Sequence, residues 1–378
     1  MEYRKYRDTG LKTSLLGFGC MRFPMLEDGK TIDTATAERM VDLAYANGVN
    51  YFDTAYVYNN GDSERTIGAI LKKYPRDSYF LTSKMPNFLC KTPEDVERIF
   101  NESLERCGVD YFDFYLCHNI NGGNIDLYTG ENFIIPYLEK MKAEGKIRYL
   151  GFSSHGSPDD LRRAVAIRDW DFVQIQFNYL DWTYQDAKQQ YEILEQAGLP
   201  IMVMEPVRGG RLASLGVHGK ALEDFAPGKS AASWALRWAA THPAIQVVLS
   251  GMSTMEQVED NLATFQAFEP MTDEENEILA KTAQGILNDA LIPCTGCRYC
   301  SECPLELDIP KMLKIYGDYL LSHSFFSLSG LRGLEPGKGP SDCLGCGTCE
   351  SRCPQNIEVP RLLAELAELQ SKMPGQRR

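Results

Sequence analysis

Eight times over roughly its first 270 residues the chain alternates between a short apolar run and a longer segment of helical period, which narrows the folds open to it more than any other feature. The runs are LLGFGC (15–20), YFDTA (51–55), YFLTSKM (79–85), YFDFYLCH (111–118), IRYLGFSS (147–154), FVQIQFN (172–178), LPIMVMEP (199–206) and QVVLSGM (246–252). They are nearly continuous in apolar and aromatic residues, as strands covered on both faces must be. Between them lie amphipathic stretches with helix punctuation. TATAERMVDLAYANG closes near Gly48, and TPEDVERIFNESLERCG opens with Thr92 as N-cap and Pro93 at the first helical position. Eight strand–helix units in about 250 residues predict an α/β chain built on a closed (β/α)8 TIM barrel. A doubly wound sheet fits less well, because GFGCM after the first strand lacks the third glycine of a GxGxxG turn.

Cysteine usage divides the chain a second time. Of 12 cysteines, Cys20, Cys90, Cys107 and Cys117 are scattered through the barrel region, whereas eight crowd between Cys294 and Cys353. A formal charge of −13 disfavours polyphosphate and anionic membrane as partners, so neither nucleic acid nor membrane is expected. No apolar window of membrane-spanning length occurs and the opening MEYRKYRDTG is polar, so a cytoplasmic protein is expected, with thiols that hold metal rather than form disulfides. The spacing is Cys294-x2-Cys297-x2-Cys300-x2-Cys303-Pro304, then Cys343-x2-Cys346-x2-Cys349-x3-Cys353-Pro354. The second run has the bacterial ferredoxin spacing, in which three close thiolates take three corners of an iron–sulfur cube and the Cys-Pro cysteine serves the other cluster. Eight thiolates satisfy two [4Fe–4S] clusters, with Cys303 and Cys353 expected to cross between them; zinc held by four thiolates is the competing reading. The rest of the tail has helical period in IPKMLKIYGDYLL and VPRLLAELAELQSKM, ending in a frayed PGQRR. The expected division is a barrel over 1–284 and a helical ferredoxin-like domain over 285–378.

A barrel places its chemistry at the C-terminal ends of its strands. There the second run ends in Asp53 and leads to Tyr58, the third ends in Lys84, the fourth in His118, the fifth in Ser153 and Ser154, and the sixth carries Gln176 before Asn178. Singly, each has an ordinary explanation: a strand-end Asp caps helices, a lone Lys is solvated, and a lone His is more often structural. Together they suit proton transfer to a carbonyl. A phenol of intrinsic pKa about 10 needs a nearby cation to work near neutrality, which Lys84 supplies if Asp53 keeps it charged. His118 can polarise the carbonyl or relay a proton, while Ser153, Ser154 and Gln176 carry groups that bind a carboxamide.

These stretches resemble the aldo-keto reductases over roughly residues 1–270: YRKYRDTGLKTSLLGFGCMRF, GVNYFDTAYVYNNGDSERTIGAIL, FLTSKM, DYFDFYLCH, GFSSH, VQIQFNYL and LSGMSTMEQVEDNL. The resemblance implies a catalytic tetrad of Asp53, Tyr58, Lys84 and His118, with Tyr58 as acid/base, and carboxamide contacts from Ser153, Ser154 and Gln176. It also implies that Ser253, Gln257, Asp260 and Asn261 line the adenosine end of a nicotinamide dinucleotide, and that Gly19, Met21 and Arg22 lie beside it. Two positions depart from the family pattern. Met204 stands where an aromatic ring usually stacks on the nicotinamide, and Gly251 and Gln257 stand where Lys and Arg often clamp the 2′-phosphate. Arg208 and Arg211 of PVRGGRL are further candidates for the phosphates, and NADP is favoured over NAD.

The tail resembles helical ferredoxin domains appended to a subgroup of bacterial and archaeal members. The expected function is therefore reduction of a small-molecule carbonyl, or oxidation of an alcohol, by hydride transfer. Appended clusters would serve electron transfer, structure or the docking of a redox partner protein. Phe23, Tyr56, Asn59 and the loop NINGGNIDLYTGEN are expected to shape the substrate pocket. The alternative is an electron-transfer or redox-sensing protein whose barrel binds nucleotide without turnover.

Overall fold

The protein was analysed as a computed structural model describing residues 1–128, 133–288, 292–322 and 325–373. The last four residues of the loop NINGGNIDLYTGEN, and the terminal PGQRR, lie outside the described residues. A short antiparallel hairpin, β1 (Tyr3–Lys5) and β2 (Lys12–Ser14), precedes eight parallel strands. These are β3 (Leu16–Gly19), β4 (Tyr51–Asp53), β5 (Phe80–Met85), β6 (Phe112–Cys117), β7 (Ile147–Ser154), β8 (Phe172–Gln176), β9 (Ile201–Met204) and β10 (Ile245–Ser250). They close into a barrel in sequence order, with β10 pairing β3. All eight strands anticipated from the apolar runs are present, and every residue of β6, β8 and β10 is buried.

The barrel interior is close-packed, and two glycines show how tightly. A Cβ on Gly17 would stand 2.6 Å from Val247 Cγ1, and one on Gly151 would stand 2.5 Å from the carbonyl oxygen of Phe172. Tyr6, between the hairpin strands, is fully buried among Tyr51, Phe114, Leu116 and Phe172, and its hydroxyl donates to Asp171 O at 2.8 Å. The helix Pro93–Cys107 starts as its sequence requires: Thr92 Oγ1 accepts from Asp95 N, Asp95 Oδ2 accepts from Thr92 N, and Gly108 ends the helix at φ 63°.

The chain forms two compact units. The first is Met1–Val207 with Ala232–Asp273, and the second is Arg208–Ala231 with Glu274–Arg378. The segment after β9, which holds the turn Arg208–Ala213 and the helix Lys220–Phe225, therefore belongs to the second unit. In that unit the helices Ile309–Ser322 and Val359–Ser371 enclose a core that includes Leu307, Met312, Leu313, Leu328, Leu363 and Leu366. Among the described residues, no helix is long and apolar enough to cross a membrane.

Candidate active site and cysteine cavities

Parallel register brings three strand ends side by side, with Asp53 opposite Thr82 and Lys84 opposite Leu116, just before His118. Lys84 is 1% exposed and donates from Nζ to Asp53 Oδ1 at 2.6 Å and to Thr54 O at 2.7 Å. Burial pushes the Lys84 ammonium down and the Asp53 carboxyl up; each partner's charge opposes the other's shift, and the 2.6 Å contact holds them as a pair.

Tyr58 arrives from the loop after β4. Asn59 and Asn60 follow it in left-handed conformation at φ 49° and 56°, which asparagine tolerates better than most residues, and this bend fixes where Tyr58 sits. Lys84 Nζ lies 4.7 Å from the centre of the Tyr58 ring, and the His118 ring meets Tyr58 edge-on with centroids 6.0 Å apart. Burial and then the Lys84 charge hold the His118 pKa well below the ordinary histidine range, so its ring is neutral near pH 7. The structure thus brings Asp53, Tyr58, Lys84 and His118 together.

The carboxamide candidates stand at the ends of β7 and β8. Ser153 Oγ accepts from Asn119 N at 2.9 Å, whereas Ser154 Oγ donates to Ile120 O at 2.7 Å and is tied into the loop after β6. Gln176 donates from Nε2 to Asp181 Oδ2 at 2.6 Å and to Gln185 Oε1 at 2.9 Å. Met204 ends β9, and its sulfur accepts from Gln174 Nε2 at 3.7 Å. Gly19, Met21 and Arg22 lie at the end of β3 and in the turn after it; Arg22 reaches Glu205 at 3.7 Å, and its carbonyl accepts from Ser253 Oγ at 2.7 Å.

Gln257 lies in the first turn of the helix Met255–Gln266 and accepts from Ser253 N at 2.7 Å. Asp260 is half-buried in the same helix, and Asn261, fully inside, donates to Ser250 Oγ at 2.9 Å. The loop candidates Arg208 and Arg211 belong to the second unit: Arg208 is buried there, and Arg211, lowered by burial, donates to Gly317 O at 3.4 Å. Tyr56 turns its hydroxyl to Glu102 at 2.5 Å, toward the helix Pro93–Cys107.

Three further residues at this rim were missed from the sequence. His155 follows the end of β7 and is pushed down to about 4 by burial, opposed by a hydrogen bond with Gln176 and by Asp181. Asp181 and Gln185 hold Gln176. The only signal for them was their closeness in sequence to strand ends.

In the second unit two cavities are walled by cysteine. One is lined by Cys303, Cys343, Cys346 and Cys349 with Leu305, Leu307 and Ile309. The other is lined by Cys294, Cys297, Cys300 and Cys353 with Leu313, Ile357 and Val359, and also by Arg298 and Thr295. Each takes three cysteines from one motif and a fourth from the other. Four soft donors in an apolar wall suit an iron–sulfur cluster. Burial and the neighbouring Cys297 and Cys294 push Cys300 up to about 12, so a thiolate there needs a bound cation.

The aldo/keto reductase family model matches residues 15–284, and a 4Fe-4S dicluster domain model matches residues 293–358. The chain is 30% identical over 293 residues to an L-galactose dehydrogenase of Arabidopsis thaliana, covering 72% of this chain and 90% of that protein. It is 25% identical over 269 residues to an NADH-specific methylglyoxal reductase of Escherichia coli, covering 58% of this chain and 79% of that protein. Among solved structures, an aldo-keto reductase from Bacillus halodurans in its holo form superposes with a TM-score of 0.62 at 26% identity, covering 75% of this chain and 96% of that one. The chain therefore belongs to the aldo/keto reductase family, as an oxidoreductase that carries a 4Fe-4S dicluster domain after its barrel.

Proposed function

We propose that the barrel reduces a small-molecule carbonyl, or oxidises the corresponding alcohol, with NADP or NAD, and that the second unit holds two [4Fe–4S] clusters, one in each cysteine cavity. The observation that carries the first half is Lys84, paired with Asp53 at 2.6 Å and set 4.7 Å from the ring of Tyr58. When bound, the nicotinamide supplies or accepts the hydride.

The chain's own residues manage the proton. As negative charge develops on the carbonyl oxygen, the Tyr58 hydroxyl donates its proton to it. The phenolate left behind is favoured by the ammonium of Lys84, which Asp53 keeps charged inside the barrel. His118, neutral, donates a hydrogen bond to the same oxygen and orients it. Ser153 and Gln176 hold the carboxamide, and Met204 covers the ring with a polarizable sulfur. Ser253, Gln257, Asp260 and Asn261, with Gly19, Met21 and Arg22, line the remainder of the dinucleotide. Arg22 is the cation beside Gly251 and favours the extra phosphate of NADP.

In the second unit Cys294, Cys297, Cys300 and Cys353 would hold one cluster, and Cys303, Cys343, Cys346 and Cys349 the other. Such ligation requires a reducing compartment, consistent with a cytoplasmic protein. The decisive experiment uses anaerobically purified protein, a panel of carbonyl compounds, and NADPH and NADH in turn. Wild type is expected to turn over, and Tyr58→Phe to lose about 10²–10⁴-fold in kcat while still binding the dinucleotide. Full activity in Tyr58→Phe overturns the reading. EPR during NADPH addition then separates the cluster roles: reduced clusters establish a relay, and unreduced clusters a structural or partner-docking role.

A further inference from the structure

The strand end that carries Gln176 continues through Phe177 and Asn178 into a one-turn helix, Asp181–Tyr184, and then Gln185. Asn178, fully buried, makes this return possible. Its Oδ1 accepts from Leu180 N at 3.2 Å and Asp181 N at 2.9 Å, while its Nδ2 donates to Asp181 Oδ2 at 2.7 Å and to Glu205 O at 3.1 Å. The chain is thereby bent until the carboxylate of Asp181, itself 0% exposed, faces back to the strand end. Gln176 Nε2 meets the same Oδ2 at 2.6 Å and Gln185 Oε1 at 2.9 Å.

An ionised carboxylate only accepts hydrogen bonds. The side of the Gln176 amide turned toward Asp181 is therefore its NH2, and Gln185 Oε1 takes part in the same fixation. Rotating the amide by half a turn would set its carbonyl oxygen against the Asp181 carboxylate in a buried site and leave both acceptors unpaired, an arrangement that low local dielectric penalises strongly. The carbonyl oxygen of Gln176 thus faces away from Asp181.

We infer that Asp181 is a positioning residue for nicotinamide recognition: it locks Gln176 as an acceptor for the NH2 group of the ring's carboxamide. The inference rests on the reading of the barrel as a nicotinamide site. Asp181 touches neither cofactor nor substrate in this assignment and acts on the cofactor through the Gln176 amide, which His155 also meets, while its contact with Asn178 holds the bend. An asparagine at 181 offers both a donor and an acceptor, so it removes the constraint on the Gln176 amide without changing its shape or size.

The test compares wild type, Asp181→Asn and Gln185→Met for binding of two probes: the dinucleotide that wild type binds, and its ADP-ribose portion, which lacks nicotinamide. Asp181→Asn is expected to weaken the dinucleotide about tenfold and leave the ADP-ribose portion unchanged, with a smaller loss of the same kind in Gln185→Met. Hydride transfer from cofactor deuterated on one face is expected to lose stereospecificity in Asp181→Asn, an effect that loss of packing alone does not produce. Equal weakening of both probes, or of neither, overturns the assignment. If Asp181→Asn fails to fold, Gln185→Met decides by the same criterion. Wild type binding the dinucleotide no more tightly than ADP-ribose overturns the nicotinamide reading itself, and this inference with it.

Discussion

The two units solve the problem of a buried polar site in opposite ways. In the barrel the chain supplies both halves of each interaction: Lys84 donates to Asp53 and to Thr54 O, and Gln176 donates to Asp181 and Gln185. In the second unit each cavity gathers four cysteines: Arg298 also lines the one at Cys294, Cys297, Cys300 and Cys353, whereas nothing cationic lines the one at Cys303, Cys343, Cys346 and Cys349. A site whose charges are already paired is held by packing, whereas a site of like groups depends on what it binds. The barrel should therefore outlast its cofactor, and the iron–sulfur unit should not outlast its iron.

Iron removal gives the largest effect. All four tryptophans, Trp170, Trp182, Trp234 and Trp238, lie in the first unit, so tryptophan emission follows the barrel alone. Anaerobic chelation is expected to abolish the helical signal of Ile309–Ser322 and Val359–Ser371 in far-UV circular dichroism while the tryptophan-detected melt persists. Full helicity in the iron-free protein would show that the leucine core holds the second unit without help, and the contrast between the units would fail.

The next effect lies inside the barrel. Lys84→Met removes one partner of a fully buried pair and leaves Asp53 without its cation, a change that costs about 3–5 kcal/mol. Urea unfolding followed by tryptophan emission measures it. A loss below about 1 kcal/mol would mean that the pair is already neutral. A smaller break is expected in the second unit at Gly209. A methyl group there would lie 2.3 Å from the carbonyl oxygen of Thr295, beside Cys294, with φ at 66°. Clash and left-handed strain together cost about 2–4 kcal/mol, so Gly209→Ala should melt the helical signal earlier and leave the tryptophan transition in place. Equal shifts in both signals would show that the segment 208–231 does not stabilise the second unit in particular.

How much of this could be read from sequence follows from the same contrast. Parallel strands buried on both faces leave continuous apolar runs, so all eight barrel strands were legible, and with them the strand-end positions of Asp53, Lys84 and His118. The hairpin Tyr3–Lys5 with Lys12–Ser14 left no such trace, because its three-residue strands are largely charged and polar. The affiliation of 208–231 was equally hidden: RGGRL announces a turn, but which core that turn packs on is decided by tertiary fit such as Gly209 on Thr295. Cysteine spacing offered two runs of four with Cys303 and Cys353 expected to cross, and the linings agree with that exchange: Cys303 lies beside the later run and Cys353 beside the earlier one. Asp181 escaped notice because its importance comes from the bend at Asn178, and a turn residue next to a strand reads from sequence as a turn and nothing more.

The smallest effect is a pH dependence confined to the barrel. Burial depresses His155 to about 4 in the folded chain, against about 6.5 for a histidine in the unfolded one. The folded state thus binds fewer protons than the unfolded state between these values. The stability linked to neutral His155 is fully present above pH 6.5, falls as the pH drops toward 4, and changes no further below that. The slope for one such group is about 1.4 kcal/mol per pH unit at most, and partial solvent access at His155 reduces it. His118 and His242, also lowered by burial, add slopes of the same sign, so the informative quantity is the difference between wild type and His155→Gln. That difference in tryptophan-detected stability should be constant above pH 6.5 and shrink steadily from there to pH 4. If it stays constant across the whole range, His155 is protonated as readily in the folded chain as in the unfolded one, and the rim around Gln176 is wetter than a packed barrel mouth allows.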